Sequence, residues 1–372
     1  MLKITHLTTV HKRHDTRVFV KELKSLHNHN YDVSIIVSDG YGNSALNGIK
    51  IFDVGKENSR LKRILFSTKK VLKKAIELDS DIYHFHDPEL IPVGLKLLKM
   101  NKKVIFDIHE NIALQIGDKE YIPNYLKFFL SGIYRLYEKI TLHKFTGLIL
   151  AENSYVDYYK KLNNNYQVIL NMPQVDNLSK FINFDRKANH MFYIGSITEQ
   201  RGFGVTLKVL RILKDKIPDI FLHYIGPYDI KLLDNLDYEE VKDLIKLYGP
   251  LPLEEGMKIS HDVKVGISIL SPIRNYLQSY STKIFEYMSI GLPVVTSNFP
   301  LYVDVVEKYK CGICVNPTDP NEIADAIIFI MNSQETIEKM GKNGKDAVGK
   351  YYNWDIEERK LINFYQKIDK LG

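Results

Sequence analysis

Strand-like and helix-like patterns alternate along nearly the whole of this chain, in two separate runs. Residues 4–7, 33–37, 82–85, 104–107, 147–151 and 168–170 read as strands, with helices such as 17–26 and 90–100 between them. After a looser stretch the alternation restarts at 190–194 and continues through 221–225, 263–269, 293–297 and 312–315. Strands that are nearly continuous in Val, Ile and Leu, each followed by a helix, predict parallel sheets covered on both faces. Two such runs in 372 residues predict two doubly wound α/β domains. The polar stretch 171–187 reads as the linker.

Open parallel sheets bind ligands beyond the carboxyl ends of their strands, so the loops there carry the functional reading. The richest is Ser281-Thr-Lys-Ile-Phe-Glu-Tyr-Met-Ser-Ile-Gly-Leu-Pro-Val-Val-Thr-Ser-Asn298. Ser281 and Thr282 suit a helix start, Gly291 and Pro293 a helix end, and residues 294–296 a buried strand. The first N–H groups of a helix lack internal partners and carry partial positive charge, which attracts phosphate. Glu286, about one turn further on, can accept both hydroxyls of a ribose. Phosphate plus ribose means a nucleotide. In the same half, Phe192-Tyr-Ile-Gly-Ser-Ile-Thr-Glu-Gln-Arg-Gly202 runs from a strand into Gly195, and Arg201 with Gly202 is expected to open the next helix. A glycine lets a ligand approach the backbone, and an arginine offers phosphate oxygens a charged fork.

The first half ends its strands in polar loops. Thr8-Thr-Val-His-Lys-Arg-His-Asp-Thr-Arg17 places Asp15 and Arg17 around a helix start, where the simplest reading is a cap and a surface cation. His84-Phe-His-Asp-Pro-Glu89 and Asp107-Ile-His-Glu-Asn111 follow two further strands. His84, His86, Asp87, His109 and Glu110 can be assembled on paper into a metal site, but capping and internal hydrogen bonding account for them, and no metal is expected.

Cys311 and Cys314 have a Cys-x-x-Cys spacing, yet they lie in an apolar strand-like run instead of at a helix start, which disfavours redox or zinc chemistry. The first residues read as a strand and not a leader, and no stretch approaches the ~20 apolar residues a bilayer span needs. The expected location is cytoplasmic. The formal charge of +6 concentrates in the first half. Residues 60–74 read as a helix with Leu61, Ile64, Leu65, Val71 and Leu72 inward, and residues 121–144 mix Tyr125, Phe128, Phe129, Tyr134 and Tyr137 with Lys127, Arg135, Lys139 and Lys144. Such helices suit either an anionic membrane surface or ordinary solvated faces. Nucleic acid is not expected, since no recognition module of a known type is present.

These residues carry a resemblance over nearly the whole chain. The sequence resembles the family-4 retaining glycosyltransferases through the 195–202 loop, Lys283-Ile-Phe-Glu-Tyr-Met-Ser-Ile-Gly-Leu-Pro-Val-Val295, and Asn353-Trp-Asp355. Weaker matches are Asp15-Thr-Arg-Val18, Glu22-Leu23, Phe85-His-Asp-Pro-Glu-Leu90 and Asp107-Ile-His-Glu110. The resemblance implies the GT-B architecture: two Rossmann-like domains facing across a cleft, with a C-terminal helix crossing back to the first and closure of the cleft during turnover. The expected divisions are 1–175 for the acceptor, 176–350 for the nucleotide sugar and 351–372 for the returning helix.

In such enzymes the position of Glu286 holds the ribose, and the backbone around Thr282, Lys283 and Ile284 holds the distal phosphate. The position of Arg201 is usually a lysine that neutralises the diphosphate, and His109 matches a histidine near the reacting carbon of the donor. Gly195 and Ser196 complete the donor loop, while Asp15, Arg17, His86 and Glu110 are expected on the acceptor side. Two departures stand out. Gln278 occupies the place of a second glutamate eight residues before Glu286, and Ser196 stands where many members have arginine, so Lys283 and Arg17 become candidate phosphate contacts. The loop at 248–251 is the expected base-binding segment.

The resulting expectation is transfer from a nucleoside-diphosphate sugar to a hydroxyl acceptor with retention, without a metal or other cofactor. The donor half suits a sugar nucleotide, and the acceptor half a lipid-linked or oligosaccharide acceptor in surface polysaccharide or glycolipid assembly. A sugar-nucleotide epimerase, or a non-catalytic binding partner of a transferase, would share the nucleotide half.

Overall fold

In the computed structural model, which describes residues 1–118 and 122–371, the chain divides into two compact units. The first is Met1–Asn171 together with the chain from Asp355 on, and the second is Met172–Trp354.

The first unit is built on an eight-stranded sheet: β1 (Lys3–Leu7), β2 (Asp32–Val37), β3 (Ser44–Leu46), β4 (Ile49–Asp53), β5 (Ile82–Phe85), β6 (Lys103–Ile108), β7 (Gly147–Leu150) and β8 (Tyr166–Val168). Their order is β3-β4-β2-β1-β5-β6-β7-β8, and every pairing is parallel except β3 with β4. The sheet order reverses direction at β1 and β5, the place where doubly wound folds open a binding crevice. The sequence reading missed β3 and β4, because the Gly-rich turn around residues 40–48 reads as loop and Ser44–Leu46 is an exposed edge. Helix α1 (Thr16–Leu23) starts on Asp15, whose carboxylate accepts from the N–H groups of Arg17 and Val18 at 2.9 Å. Helix α2 (Asn124–Thr141) lies within the span predicted for a basic, aromatic helix; Tyr121, at the start of that span, lies outside the described residues. The C-terminal helix Trp354–Lys370 returns to this unit, where Tyr365 is fully buried and the Glu357 carboxylate accepts from the Leu170 N–H at 2.9 Å.

One helix prediction fails in its orientation. Leu61, Ile64 and Leu65, expected inward, are exposed, and only Val71 of the set is fully buried. The cause is a change of winding: Arg60–Lys62 is followed by a wider turn at Arg63–Ser67 before the regular helix Thr68–Leu78. Each extra residue per turn rotates the upstream face, so a 3.6-residue periodicity cannot place it.

The second unit holds β9 (Ala188–Ile194), β10 (Phe221–Ile225), β11 (Ile245–Leu247), β12 (Val263–Ser268), β13 (Val294–Ser297) and β14 (Gly312–Val315), in the all-parallel order β11-β10-β9-β12-β13-β14. Helices α3 (Phe203–Leu213), α4 (Thr282–Ser289) and α5 (Pro320–Met331) cover it. Leu207, Leu210, Leu222, Val265, Val295 and Ile327 meet in its core. Tyr287 of α4 packs against Gly266, where a Cβ would lie 2.5 Å from the ring.

The stretch expected as a linker is packed into this unit. Leu178 and Phe181 are buried, and Arg186 is completely enclosed. Its guanidinium donates to the carbonyls of Ser260, Val263 and Ile290 at 2.5, 3.0 and 2.8 Å, pinning the segment to the ends of β12 and α4. Arg186→Ala strands these carbonyls, and we expect a loss of about 3–5 kcal/mol. Urea unfolding of the second unit checks this; a loss under about 1 kcal/mol would show that the carbonyls find other donors.

Candidate functional site

In the second unit the site is built on bare backbone. Strand β9 runs into Gly195, whose N–H donates to the Ile225 carbonyl at 2.8 Å, and the Gly226 N–H donates to the Gly249 carbonyl at 2.8 Å. A Cβ on Gly226 would lie 1.9 Å from the Gly195 carbonyl oxygen, so only glycine fits there. The ends of β9 and β10 thus close up without side chains.

Two cations converge on this turn. A Cβ placed on Gly195 would stand 3.5 Å from Lys283 Nζ and 3.6 Å from an Arg201 guanidinium nitrogen. Arg201 ends a tight turn, Glu199–Arg201, and stands just before Gly202 instead of opening the helix as predicted. Gly202 adopts φ 80°, where a Cβ would meet the Ile269 carbonyl oxygen at 2.5 Å, and α3 begins at the next residue. The half-buried Arg201 side chain hydrogen-bonds Tyr276 and Tyr193. The Tyr193 hydroxyl in turn donates to the Ser196 carbonyl at 2.6 Å, and Lys283 Nζ sits 5.2 Å from the Tyr193 ring centre.

Helix α4 supplies the remaining groups. Ser281 holds the cap position, but its hydroxyl pairs with Ser268 at 3.0 Å and makes no side-chain bond to the helix. The partial positive charge at the start of α4 therefore carries no side-chain cap. Lys283 lies on its first turn and Glu286 on the next. Burial, and then the neighbouring Arg201, push the Lys283 ammonium down to about 7, against the opposing pull of Glu286. Ile284 has its side chain in the core, which leaves its backbone to act, and Thr282 and Glu286 are half-buried. Gln278 follows the short helix Arg274–Leu277 on the approach to Ser281 and is half-buried. Beyond β11, the Tyr248 N–H bonds the Tyr224 carbonyl at 2.9 Å and Gly249 turns the chain at φ 71°. Two cations, a helix start and a carboxylate a turn beyond can hold a diphosphate and a vicinal diol.

The first unit contains a cavity of about 760 Å³, lined in part by His11, His86, Asp87, His109, Glu110 and Tyr134. Beneath it lies a buried polar network. Arg17 is 5% exposed and grips the Asp107 carboxylate with two N–H bonds of 3.1 Å while donating to the Ile169 carbonyl at 2.9 Å. The surface reading of Arg17 is thereby corrected: a charge this deep persists because carboxylates face it. Burial alone would raise the Asp107 carboxyl, but Arg17 and then His109 hold it well below the usual range. His109 reaches Asp107 at 2.7 Å, which fixes the ring at the cavity rim. Asp87 accepts from the Thr8 hydroxyl at 2.9 Å and the Thr9 N–H at 2.5 Å, tying the loops after β1 and β5 together. Asp15 caps α1 and also meets His11 at 3.3 Å, while Glu110 is exposed and bonded to Gln115.

Sequence reasoning had no means of finding several of these groups. Tyr193 and Tyr276 position Arg201 but look like ordinary strand and loop tyrosines. Glu138 is 2% exposed, accepts from Tyr158 and Tyr159, and is pushed by burial up to about 7 at the cavity wall. Its place on a polar helix face gives no hint of that. The cysteines are both buried, and burial pushes each thiol up to about 12, which removes the thiolate that redox chemistry needs. Of the five residues assembled on paper as a metal site, Asp87 and Glu110 fall outside the two clusters of metal-binding geometry among the described residues, which are His6, Glu22, His84 and His86, and His86, Asp107 and His109. No helix of the described residues is long and apolar enough to cross a membrane.

Comparison with known proteins bears on the second unit's sequence and on the fold. Residues 174–347 match the family described as Glycosyl transferases group 1. The putative colanic acid biosynthesis glycosyltransferase WcaL of Salmonella typhimurium is 23% identical over 184 residues, 48% of this chain and 45% of that protein. This chain spans between 31% and 45% of the length of the first such relatives. Sucrose-phosphate synthase from Thermosynechococcus elongatus superimposes over 100% of both chains with a TM-score of 0.76 at 16% identity. The E. coli trehalose-6-phosphate structure bound with UDP-2-fluoro glucose does so over 100% of this chain and 99% of its own, with a TM-score of 0.69 at 13% identity. Residues 174–347 are thus similar to group 1 glycosyl transferases, and the chain has the GT-B fold.

Proposed function

We propose that this protein is a retaining glycosyltransferase that moves a hexosyl group from a nucleoside-diphosphate sugar to a hydroxyl acceptor in surface polysaccharide or glycolipid assembly. The observation that carries the reading is the convergence of Lys283 and Arg201 on the Gly195 turn, one helical turn from Glu286. In this reading Glu286 takes the ribose hydroxyls, the amides of Thr282, Lys283 and Ile284 take the distal phosphate, and the loop at 248–251 faces the base. The E. coli neighbour was solved with UDP-2-fluoro glucose, a ligand of the same class. Gly195 and Ser196 lie beside the sugar phosphate, and Gln278 reads the sugar through uncharged hydrogen bonds.

The bond between the anomeric carbon and the diphosphate breaks as the acceptor oxygen bonds that carbon from the same face. The diphosphate keeps the electron pair, and one of its oxygens takes the acceptor proton. Arg201, Lys283 and the α4 dipole stabilise the charge that develops. No divalent metal is needed at the diphosphate, because two cations already flank it. The first unit is assigned to the acceptor, with His109, Glu110, His86 and Asp15 at or near its cavity and His109 serving the transferred sugar. Arg17 contributes by fixing Asp107, which orients His109.

The acceptor is read as lipid-linked, at an anionic membrane surface on the cytoplasmic side. Helix α2 turns Tyr125, Phe128, Phe129, Ile133, Leu136 and Ile140 to solvent, and Leu61, Leu65 and Phe66 are exposed as well. Lys127, Arg135 and Lys139 accompany them, a combination that suits burial of the rings among acyl chains and of the cations among phosphates.

Glu286→Ala and Arg201→Ala are expected to lower transfer at least ~100-fold with the fold retained, and the product of the natural protein is expected to keep the donor's anomeric configuration. Near-normal turnover in both variants, or an inverted product seen by nuclear magnetic resonance, would refute the assignment. Epimerised nucleotide formed without acceptor would favour the epimerase reading.

The pH dependence follows from Lys283. Free, it loses its proton near 7; a bound diphosphate restores the charged form. Above that pH, binding a nucleoside diphosphate therefore takes up about one proton, and affinity falls as pH rises. Calorimetry at pH 8 in buffers of different ionisation enthalpy reads this uptake. Lys283→Met should abolish it, and a natural protein that takes up no proton would contradict the electrostatics described.

Sedimentation with vesicles checks the membrane surface. Phosphatidylglycerol vesicles are expected to carry the protein down and phosphatidylcholine vesicles not, with Phe128→Ser plus Phe129→Ser weakening binding by ~10-fold or more. Equal behaviour of the variant and the natural protein would leave α2 without this role.

A further inference from the structure

Three histidines and a glutamate meet in the interior of the first unit, and one of them, His86, also lines the cavity above. His6 on β1 and His84 on β5 are register partners, His86 follows β5, and Glu22 reaches in from α1. All four are between 0 and 2% exposed. One nitrogen or oxygen from each lies within 4.8 Å of the corresponding atom of every other. His6 Nδ1 is 2.9 Å from His86 Nε2 and 4.0 Å from a Glu22 oxygen. Four ligands around a zinc ion at its usual bond lengths stand about 3.3 Å apart, so His6 and His86 would move slightly apart and the wider pairs, none beyond 4.8 Å, would close in around the ion.

Two further observations point to a ligand. Both Glu22 carboxylate oxygens and His84 Nε2 are buried with no hydrogen-bond partner. Arg17 Nε lies 3.0 Å from one Glu22 oxygen, but its N–H is directed to Asp107. Arg17 offsets part of the Glu22 charge, but an imidazole nitrogen enclosed without a hydrogen-bond partner is costly unless something binds it. The rings are also held from behind. His6 Nε2 and His84 Nδ1 contact the Tyr365 hydroxyl at 3.1 and 2.7 Å, and His86 Nδ1 faces Asp107 at 3.3 Å. Each histidine thus has an outer partner on one nitrogen and turns the other inward, the arrangement that orients metal-binding imidazoles.

We propose that His6, Glu22, His84 and His86 bind one zinc ion as a closed, four-coordinate structural site. The set of three imidazoles and one carboxylate suits zinc and excludes the all-oxygen preference of magnesium and calcium. No position is left for water or substrate, so the ion braces β1, β5 and α1 and takes no part in transfer. The competing trio, His86, Asp107 and His109, shares only His86 with this set.

The test is the metal content of the 372-residue chain, made without an affinity tag that binds metal and dialysed against metal-free buffer. Mass spectrometry is expected to find about one zinc per chain, and protein grown on cobalt to show the visible absorption of tetrahedral cobalt. Glu22→Gln and His84→Ala should lose the ion, whereas His109→Ala should keep it. Folded natural protein that holds no zinc as isolated, and binds none when refolded with zinc, overturns the proposal whatever the variants do. Loss in His109→Ala with retention in Glu22→Gln overturns it too, by moving the ion to the other cluster.

Discussion

A single buried guanidinium holds the first unit's working end together. Arg17 sits at the start of α1, bonds Asp107 at the end of β6 and the Ile169 carbonyl just past β8, and faces Glu22 one helical turn along. A charge in that position is tolerable only because the carboxylates meet it, and the carboxylates are tolerable only because of the charge. His109 and His86 then hang from Asp107. The geometry of the cavity wall is thus a consequence of one ion cluster that lies below it, and removing the cation would leave two acidic groups unmatched in the core.

The second unit solves an opposite problem. There burial, and then the neighbouring Arg201, push the Lys283 ammonium down to about 7 against the pull of Glu286. Ser281 adds to the effect, since its hydroxyl turns to Ser268 and away from the start of α4. A site organised in this way is stable when empty because one of its charges can be given up.

Much of this was legible in the sequence because it rests on local rules. Strand-then-helix alternation, the helix bounded by Ser281 and Gly291, and the glycine after β9 each announce themselves within a dozen residues. What was not legible depends on partners far apart in the chain. Arg17 looks like a surface cation until Asp107, ninety residues on, is folded against it. His6 shows nothing of its neighbours, because strand pairing and not sequence distance brings His84 beside it. The outward face of Leu61, Ile64 and Leu65 was misread because a wider turn at Arg63–Ser67 breaks the helical period on which the reading relied. The alignment of Tyr193 behind Arg201 has no counterpart in any short motif.

The return of the C-terminal helix to the first unit bears on how the protein is made. Tyr365 stands behind His6 and His84, and Glu357 satisfies a backbone N–H next to β8, so the first unit lacks interior parts until residues 355–370 emerge. Synthesis at ordinary rates places the whole second unit, a delay on the order of ten seconds, between the first unit's strands and the helix that seals them. During that interval the second unit is free to fold alone while the earlier half waits with its histidines uncovered. A ribosome that stalls or stops short would therefore damage the half of the protein it finished first.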